Sequence, residues 1–162
     1  MARQYTQGFR GPIGAFGPIK VESVNNQPLS VVSEVRSSQG FGGFFQGQNI
    51  NSALSETIIL DVVDDGPRGT PNTFRTNLGL NTVGPRPARV TISLYSDSGQ
   101  RVGEHTTTVA ANGLTQLDGI VQRLRVIAAI TRGYSLIASD QPIIAWASKI
   151  EKQKTQLDRH SP

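Results

Sequence analysis

The sequence predicts an all-β fold, and three observations lead to it. Turn-forming residues are abundant, with 17 Gly and 9 Pro in 162 residues, whereas charged residues make up only 17%. Stretches in which apolar and polar residues alternate recur between turns rich in Gly, Pro, Asn and Asp. Hydrophobic residues, at 36%, are sufficient for a buried core in a chain of this length. Together these features favour one β-sandwich built from many short strands.

The chain is predicted to begin with an extended, Gly-rich arm, residues 1–17. It lacks the apolar run of a signal peptide. Three large apolar side chains are spaced along it, and we expect them to bind a partner, by adding an extended strand to an exposed sheet edge of another subunit. These residues are Phe9, Ile13 and Phe16.

Residues 18–55 are predicted to form a hairpin followed by a long loop. Apolar and polar side chains alternate over residues 19–23 and again over 29–36, and a turn at 24–28 separates the two runs. The loop at 37–55 is dominated by Gly, Gln, Asn and Ser. A loop of this length is usually functional or packed on itself.

The main module is predicted to span residues 56–153, and a polar tail, 154–162, follows it. Alternation and turn residues predict strands over 57–63, 74–83, 88–95 and 100–109. Apolar residues at helical spacing predict one short helix within 114–130. A second hairpin is predicted over 134–150, and its Gln141-Pro142 dipeptide falls where the first hairpin has Gln27-Pro28, which suggests an internal repeat.

The strand at 74–83 carries an unusual polar cluster, Arg75, Thr76 and Asn77, followed by Gly79. We interpret this cluster as part of the fold and not as an active site. The side chains of Arg75 and Asn77 are placed to bond loop backbone where strands change sheets. A glycine inside a strand indicates a bulge or a close approach of another chain segment.

Two stretches resemble a known type of module. RTNLGL at residues 75–80 and SDQPIIAWAS at 139–148 resemble a repeat module of secreted and cell-surface bacterial proteins, over residues 74–153. The resemblance implies an immunoglobulin-like β-sandwich in an exported protein, extracellular or at the cell surface. It implies no catalytic residues. The chain departs from the module at its end, where Lys149, Glu151, Lys152 and Gln153 replace the usual Val-Ile-Asp-Asn.

An alternative function is carbohydrate binding by an accessory module. The loop at 37–55 combines aromatic rings with amide side chains, which suits contact with a sugar or a protein. A tryptophan on the last strand would add a stacking surface. The candidate ligand-binding residues are Phe41, Phe44, Phe45, Gln46 and Trp146.

Enzymatic chemistry has less support in the sequence. Asp61, Asp64 and Asp65 are weak candidates for a hard cation, but Asp-Asp-Gly-Pro is also a typical end of a strand. Neither His105 nor His160 lies in a catalytic motif. The chain has no cysteine, which excludes thiolate sites and disulfides. We therefore expect no catalytic residues, no metal and no cofactor; a hydrolase or metal-binding enzyme is the least favoured alternative.

The net charge of +4 is modest and does not indicate nucleic-acid binding. Its densest basic segment, Lys149 to Arg159, is predicted to be a solvated tail. No apolar run is long enough to span a membrane. The sequence thus predicts a non-catalytic structural or adhesive module that assembles with other copies or with neighbouring modules.

Overall fold

The computed structural model describes residues 18–36 and 42–152, and within them the fold is all-β, as predicted. The predicted partner-binding residues Phe9, Ile13 and Phe16 lie outside the described residues, as do Phe41 and the tail at 154–162. All strand pairings are antiparallel. The elements are β1 (Val32–Arg36), β2 (Gly42–Gln46), a 3₁₀ turn (Ile50–Ser52), β3 (Leu54–Asp64), β4 (Phe74–Thr82), β5 (Ala88–Tyr95), β6 (Arg101–Val109), β7 (Leu114–Leu117), α1 (Ile120–Arg123) and β8 (Ile130–Glu151).

The long strand β8 organises the fold because its two halves pair with different strands. Its first half lies between β3 and β5, with Ile137 opposite both Thr57 and Ile92. Its second half pairs with β4, which pairs on its other side with β7. The order β6-β5-β8-β3-β4-β7, with the extra β8–β4 pairing, makes a six-stranded sheet that folds over on itself.

The predicted hairpin over 134–150 is wrong, because this stretch is one continuous strand. The ladder with β5 ends at Ser139, and the ladder with β4 begins at Ile143. Pro142 lies between them, where the chain passes from one set of partners to the other. Its missing N–H therefore removes no ladder hydrogen bond, and the chain stays extended through the Gln-Pro dipeptide.

The predicted pairing of residues 19–23 with 29–36 is also wrong. The turn between them is present, because Asn26 has φ 56° and the Gln27 N–H donates to the Ser23 hydroxyl at 2.9 Å. However, β1 pairs with β2, which lies in the segment predicted as a loop. Residues 18–31 form no strand. The two similar stretches are therefore not a structural repeat.

The predicted helix over 114–130 is mostly absent. Its first part is β7, in which Leu117 pairs with Leu78 of β4. Gly119, with φ 59°, ends the extended chain, and α1 lasts only four residues before Arg125 adopts φ 58°. The apolar residues at helical spacing are nevertheless buried, because this short turn packs against the core.

The core is enclosed by the six-stranded sheet and is formed by residues from Ile59 onward. On β5 the alternation is complete, with every second side chain from Ala88 to Leu94 buried. Burying each such aliphatic side chain contributes about 1.5–3 kcal/mol. The cluster consists of Val62, Leu78, Leu80, Ala88, Val90, Ile92, Leu94, Val109, Leu117, Ile120, Val121, Leu124, Ile130, Ile137 and Ile143, with Ile59, Val126 and Ala145 packed against it.

Candidate interaction surface

Trp146 of β8 joins three parts of the structure. It lies directly opposite Gly79 of β4, and its ring covers the space that a side chain at Gly79 would fill. Its indole Nε1–H donates to Asn81 Oδ1 at 3.0 Å. The edge of the Phe45 ring meets the indole, with centroids 6.0 Å apart and the rings 65° apart. The close approach predicted at Gly79 is thus made by a tryptophan.

The predicted ligand-binding residues are therefore only partly brought together. Phe45 and Trp146 are in contact, and this contact holds the β1–β2 hairpin against the sheet. Phe44 precedes Phe45 on the same strand, so it points to the opposite side of the hairpin, where it is 73% exposed. Gln46 is exposed at the end of β2.

Phe45→Ala is expected to release the β1–β2 hairpin and lower stability by about 1 kcal/mol, the usual value of an aromatic pair. The single tryptophan of the chain reports this directly, because loss of Phe45 leaves Trp146 in water and shifts its fluorescence to longer wavelength. Phe44→Ala is the matched control and should leave the emission unchanged. Equal emission from both variants would show that the pair does not anchor the hairpin.

The polar cluster of β4 makes structural hydrogen bonds. The Thr76 hydroxyl accepts from the Val63 N–H, and Asn77 Oδ1 accepts from the Gly119 N–H, both at 2.9 Å and both buried. The first bond fixes β3 beside β4, and the second fixes the connection between β7 and α1. Both side chains therefore hold chain segments in place at the margin of the core.

The three candidate metal ligands are used in different ways. Asp64 forms a buried ion pair with Lys152, and Asp65 Oδ1 accepts from the Phe74 N–H at 2.6 Å. Asp61, with φ 55°, is exposed at an irregularity in the β3–β8 ladder. Over residues 18–36 and 42–152 no three acidic, His or Cys side chains gather into a potential metal site.

The remaining titratable groups show no catalytic arrangement in the described chain. His105 lies on β6 opposite Ile92, a core residue. The Thr131 hydroxyl donates to Asp97 Oδ2 at 2.6 Å, and this bond lowers the pKa of the exposed Asp97 carboxyl. It ties the β5–β6 turn to the start of β8. An open cleft of about 210 Å³ is lined by Thr82, Val83, Gly84, Pro85, Arg86, Gln141 and Pro142.

Exposed apolar side chains are the most distinctive surface feature. Among the described residues, eleven of the fourteen large exposed hydrophobic side chains lie between residues 19 and 60. Sequence reasoning missed this surface, although the even-numbered residues from 54 to 60 share one face and three of the four are apolar. The eleven are Ile19, Val21, Val24, Leu29, Val32, Phe44, Phe45, Ile50, Leu54, Ile58 and Leu60.

Part of this surface is one side of β3, which we call the β3 edge (Leu54–Leu60). β3 pairs with β8 along this stretch, whereas β4 joins β3 only at Asp64. The other side of the β3 edge therefore has no neighbouring strand in the described chain. Leu54, Ile58 and Leu60 are 55%, 55% and 71% exposed. The β3 edge thus offers a partner both the backbone groups of that side and exposed apolar side chains.

Comparison with known proteins gives the fold and no function. No family model and no curated protein matches the sequence. A solved structure described as Anabaena sensory rhodopsin transducer has a TM-score of 0.48 at 18% identity, over 67% of this chain and 95% of that chain. A second, of Thermotoga maritima 1070, has a TM-score of 0.50 at 14% identity, over 65% and 87%. Only the second reaches a useful score, and it supports the fold alone.

Within the described residues, no helix combines the length and the apolar character needed to cross a membrane.

Proposed function

We propose that this protein is a non-catalytic structural or adhesive module that assembles with other copies of itself. The observation that carries the proposal is the contrast between the two parts of the chain. The apolar side chains of the core come from Ile59 onward, whereas most of the exposed ones lie between residues 19 and 60. Exposed apolar surface concentrated in one part of the chain supports an interaction site.

Covering this surface supplies a driving force for assembly. Full burial of one Val, Leu, Ile or Phe side chain contributes about 1.5–3 kcal/mol. Burial of several of the eleven side chains is therefore of the same order as the loss of translational and rotational freedom on association, which costs about 4–15 kcal/mol. The arm with Phe9, Ile13 and Phe16 precedes this surface in the chain and belongs to the same proposal.

The absence of catalysis is part of the proposal and is supported by how the polar groups are used. The side chains that were candidates for chemistry bond instead to structural partners: Asp64 to Lys152, Asp65 to backbone, and Asn77 to backbone. These three side chains are therefore engaged in the fold and are not directed toward a substrate.

The immunoglobulin-like type of the fold and the location of the protein outside the cell are also part of the proposal. An immunoglobulin-like sandwich is supported by the antiparallel strand pairings and by the sequence resemblance, although β8 pairs with both β5 and β4. Export to the extracellular space or the cell surface is supported by the resemblance to modules of secreted bacterial proteins. Carbohydrate binding has less support, because Trp146, its best stacking surface, is packed between Gly79 and Phe45.

Removal of residues 1–23 is expected to convert the assembled protein into a monomer. Among the described residues, 18–23 take no part in the core cluster, so the truncated chain should keep its fold and its thermal transition. Mass is measured by light scattering after gel filtration over a range of concentrations, and electron microscopy distinguishes a ring from a filament.

Removal of the tail, residues 154–162, is the matched control and should leave the mass of the assembly unchanged. A full-length chain that stays monomeric at every concentration would contradict the proposed function. A truncated chain that assembles as well as the intact one would show that residues 1–23 are not part of the contact.

A further inference from the structure

We propose that the β3 edge of one copy accepts residues 18–23 of a second copy as an additional strand. This inference rests on the proposed function and specifies its contact. Acceptor and donor are each incomplete among the described residues: the β3 edge has no neighbouring strand on one side, and residues 18–23 belong to no sheet. Strand addition satisfies the backbone groups of both.

Within the six-stranded sheet, the β3 edge is less protected than the two outermost strands. β6 is the outermost strand at one end of the sheet, but an Arg101–Glu104 ion pair lies along it and Val102 is only 37% exposed. β7, at the other end, has only four residues. Proteins usually protect edges by charge or by shortness. Between Leu54 and Leu60 the only charged residue is Glu56.

The outer face beside the β3 edge is also suited to contact. Leu136 of β8 lies opposite Ile58, and the next outward residue of β8 is Tyr134. The Tyr134 ring stacks on Tyr95 of β5, with centroids 4.8 Å apart and the rings 3° from parallel. Tyrosines and aliphatic side chains in such a patch are typical of interface centres. An added strand would extend this patch instead of interrupting it.

The side chains of residues 18–23 are arranged in a way that suits a strand. Lys20 Nζ and Glu22 Oε1 form an ion pair at 2.7 Å, so these two side chains lie on the same side. In an extended chain, residues two apart share a side. Ile19 and Val21 are then on the opposite side, 67% and 52% exposed. A segment whose side chains already alternate in this way loses less conformational entropy when it pairs.

The donor comes from a second copy because the chain that follows it is held elsewhere. β1 is paired with β2, and Phe45 of β2 is packed on Trp146. With this hairpin in place, residues 18–23 pair with no strand of the part of the chain that the structure describes. A second copy provides the segment without disturbing the hairpin. Serial addition of this kind builds a ring or a filament, whereas reciprocal exchange closes a dimer.

Disulfide trapping tests the contact without background, because the chain contains no cysteine. Neighbouring strands place opposite Cα atoms about 4.5–5.5 Å apart, within the range that a disulfide spans. Val21→Cys in one tagged copy is mixed with Leu54→Cys, Ile58→Cys or Leu60→Cys in a differently tagged copy. Mild oxidation should yield heterodimers with at least one of these partners.

Val102→Cys on β6 is the matched control, and the β3 variants should cross-link several-fold more than it does. All the substituted side chains are exposed, so the variants should fold. If the chain assembles but Val21→Cys links to Val102→Cys equally, or to none of the β3 positions, the inference is overturned and the proposed function stands. A double variant with Val21→Cys and Ile58→Cys in the same chain is a further test. If its disulfide forms only within single chains, the inference is also overturned. If the chain does not assemble at all, both the inference and the proposed function are overturned.

Discussion

Lys152→Met is expected to destabilise the protein by about 3–5 kcal/mol, the usual cost of leaving a buried charge without its partner. Lys152 is only 5% exposed, and its ammonium donates to Asp64 Oδ1 and to the Gly66 carbonyl oxygen. Removal of the ammonium leaves the Asp64 carboxylate in a largely buried position. Its other oxygen, Oδ2, already has no hydrogen-bond partner among the described groups.

Loss of the ion pair should first loosen the structure locally, because Lys152 connects the end of β8 to the loop between β3 and β4. Its N–H donates to the Thr73 carbonyl at 2.8 Å, and its own carbonyl accepts from the Gly69 N–H at 2.7 Å. The residue thus holds the end of β8 against the loop between β3 and β4. Without the ion pair, amide exchange in this loop should increase before the whole chain unfolds.

Denaturant titration of three variants measures the effect. Lys149→Met is the matched control, because its ammonium is exposed over the Phe74 ring and should contribute less than about 1 kcal/mol. The double variant Asp64→Leu with Lys152→Met should recover most of the stability, since it removes both charges. Equal losses for Lys149→Met and Lys152→Met would show that the ion pair is not what stabilises this end.

Lys152 also shows where prediction from sequence ends. The residue was expected to belong to a solvated basic segment, because Lys149, Glu151 and the following polar residues surround it. Its burial depends on Asp64, which is 88 residues away in the chain. Local composition contains no information about such a partner, so the predicted solvation is wrong at this position.

The same distinction separates the correct strands from the incorrect pairings. The alternation in β5 follows from local sequence, because one face of the strand is buried. The pairing of β1 with β2, and the continuity of β8 through Pro142, depend on which strands lie alongside. A Gln-Pro dipeptide is typical of a turn, and only the change of partners at Ser139 explains why it is not one here.

The site residues divide in a similar way. Asn77 and Gly79 could be assigned to the fold from sequence, because a polar residue and a glycine within a strand require a specific neighbour. The β3 edge could not be predicted as an edge, because its exposure results from β4 joining β3 only at Asp64. The sequence indicated a strand at 57–63 and gave no sign of which side would lack a partner.

Gly79→Ala is expected to destabilise the protein by about 1–3 kcal/mol, as overpacking usually does. A Cβ atom at Gly79 would lie 2.0 Å from Cε2 and 2.2 Å from Cζ2 of Trp146. The indole would have to move away, because β4 and β8 pair along nine residues and cannot separate locally. Movement of the ring breaks its hydrogen bond to Asn81 and its contact with Phe45.

The cause of this loss of stability can be identified by comparing Gly79→Ala in the wild-type chain with Gly79→Ala in a Trp146→Ala chain. Gly84→Ala is the matched control and should be nearly neutral, because a Cβ atom there meets nothing within 4 Å. In a Trp146→Ala background the clash is absent, so Gly79→Ala should cost nothing or stabilise slightly, since alanine loses less backbone entropy than glycine in a strand. Unfolding free energies of the four variants then form a double-mutant cycle, with a coupling energy of about 1–3 kcal/mol. The same loss in both backgrounds would mean that Gly79 is required for a reason other than its contact with Trp146.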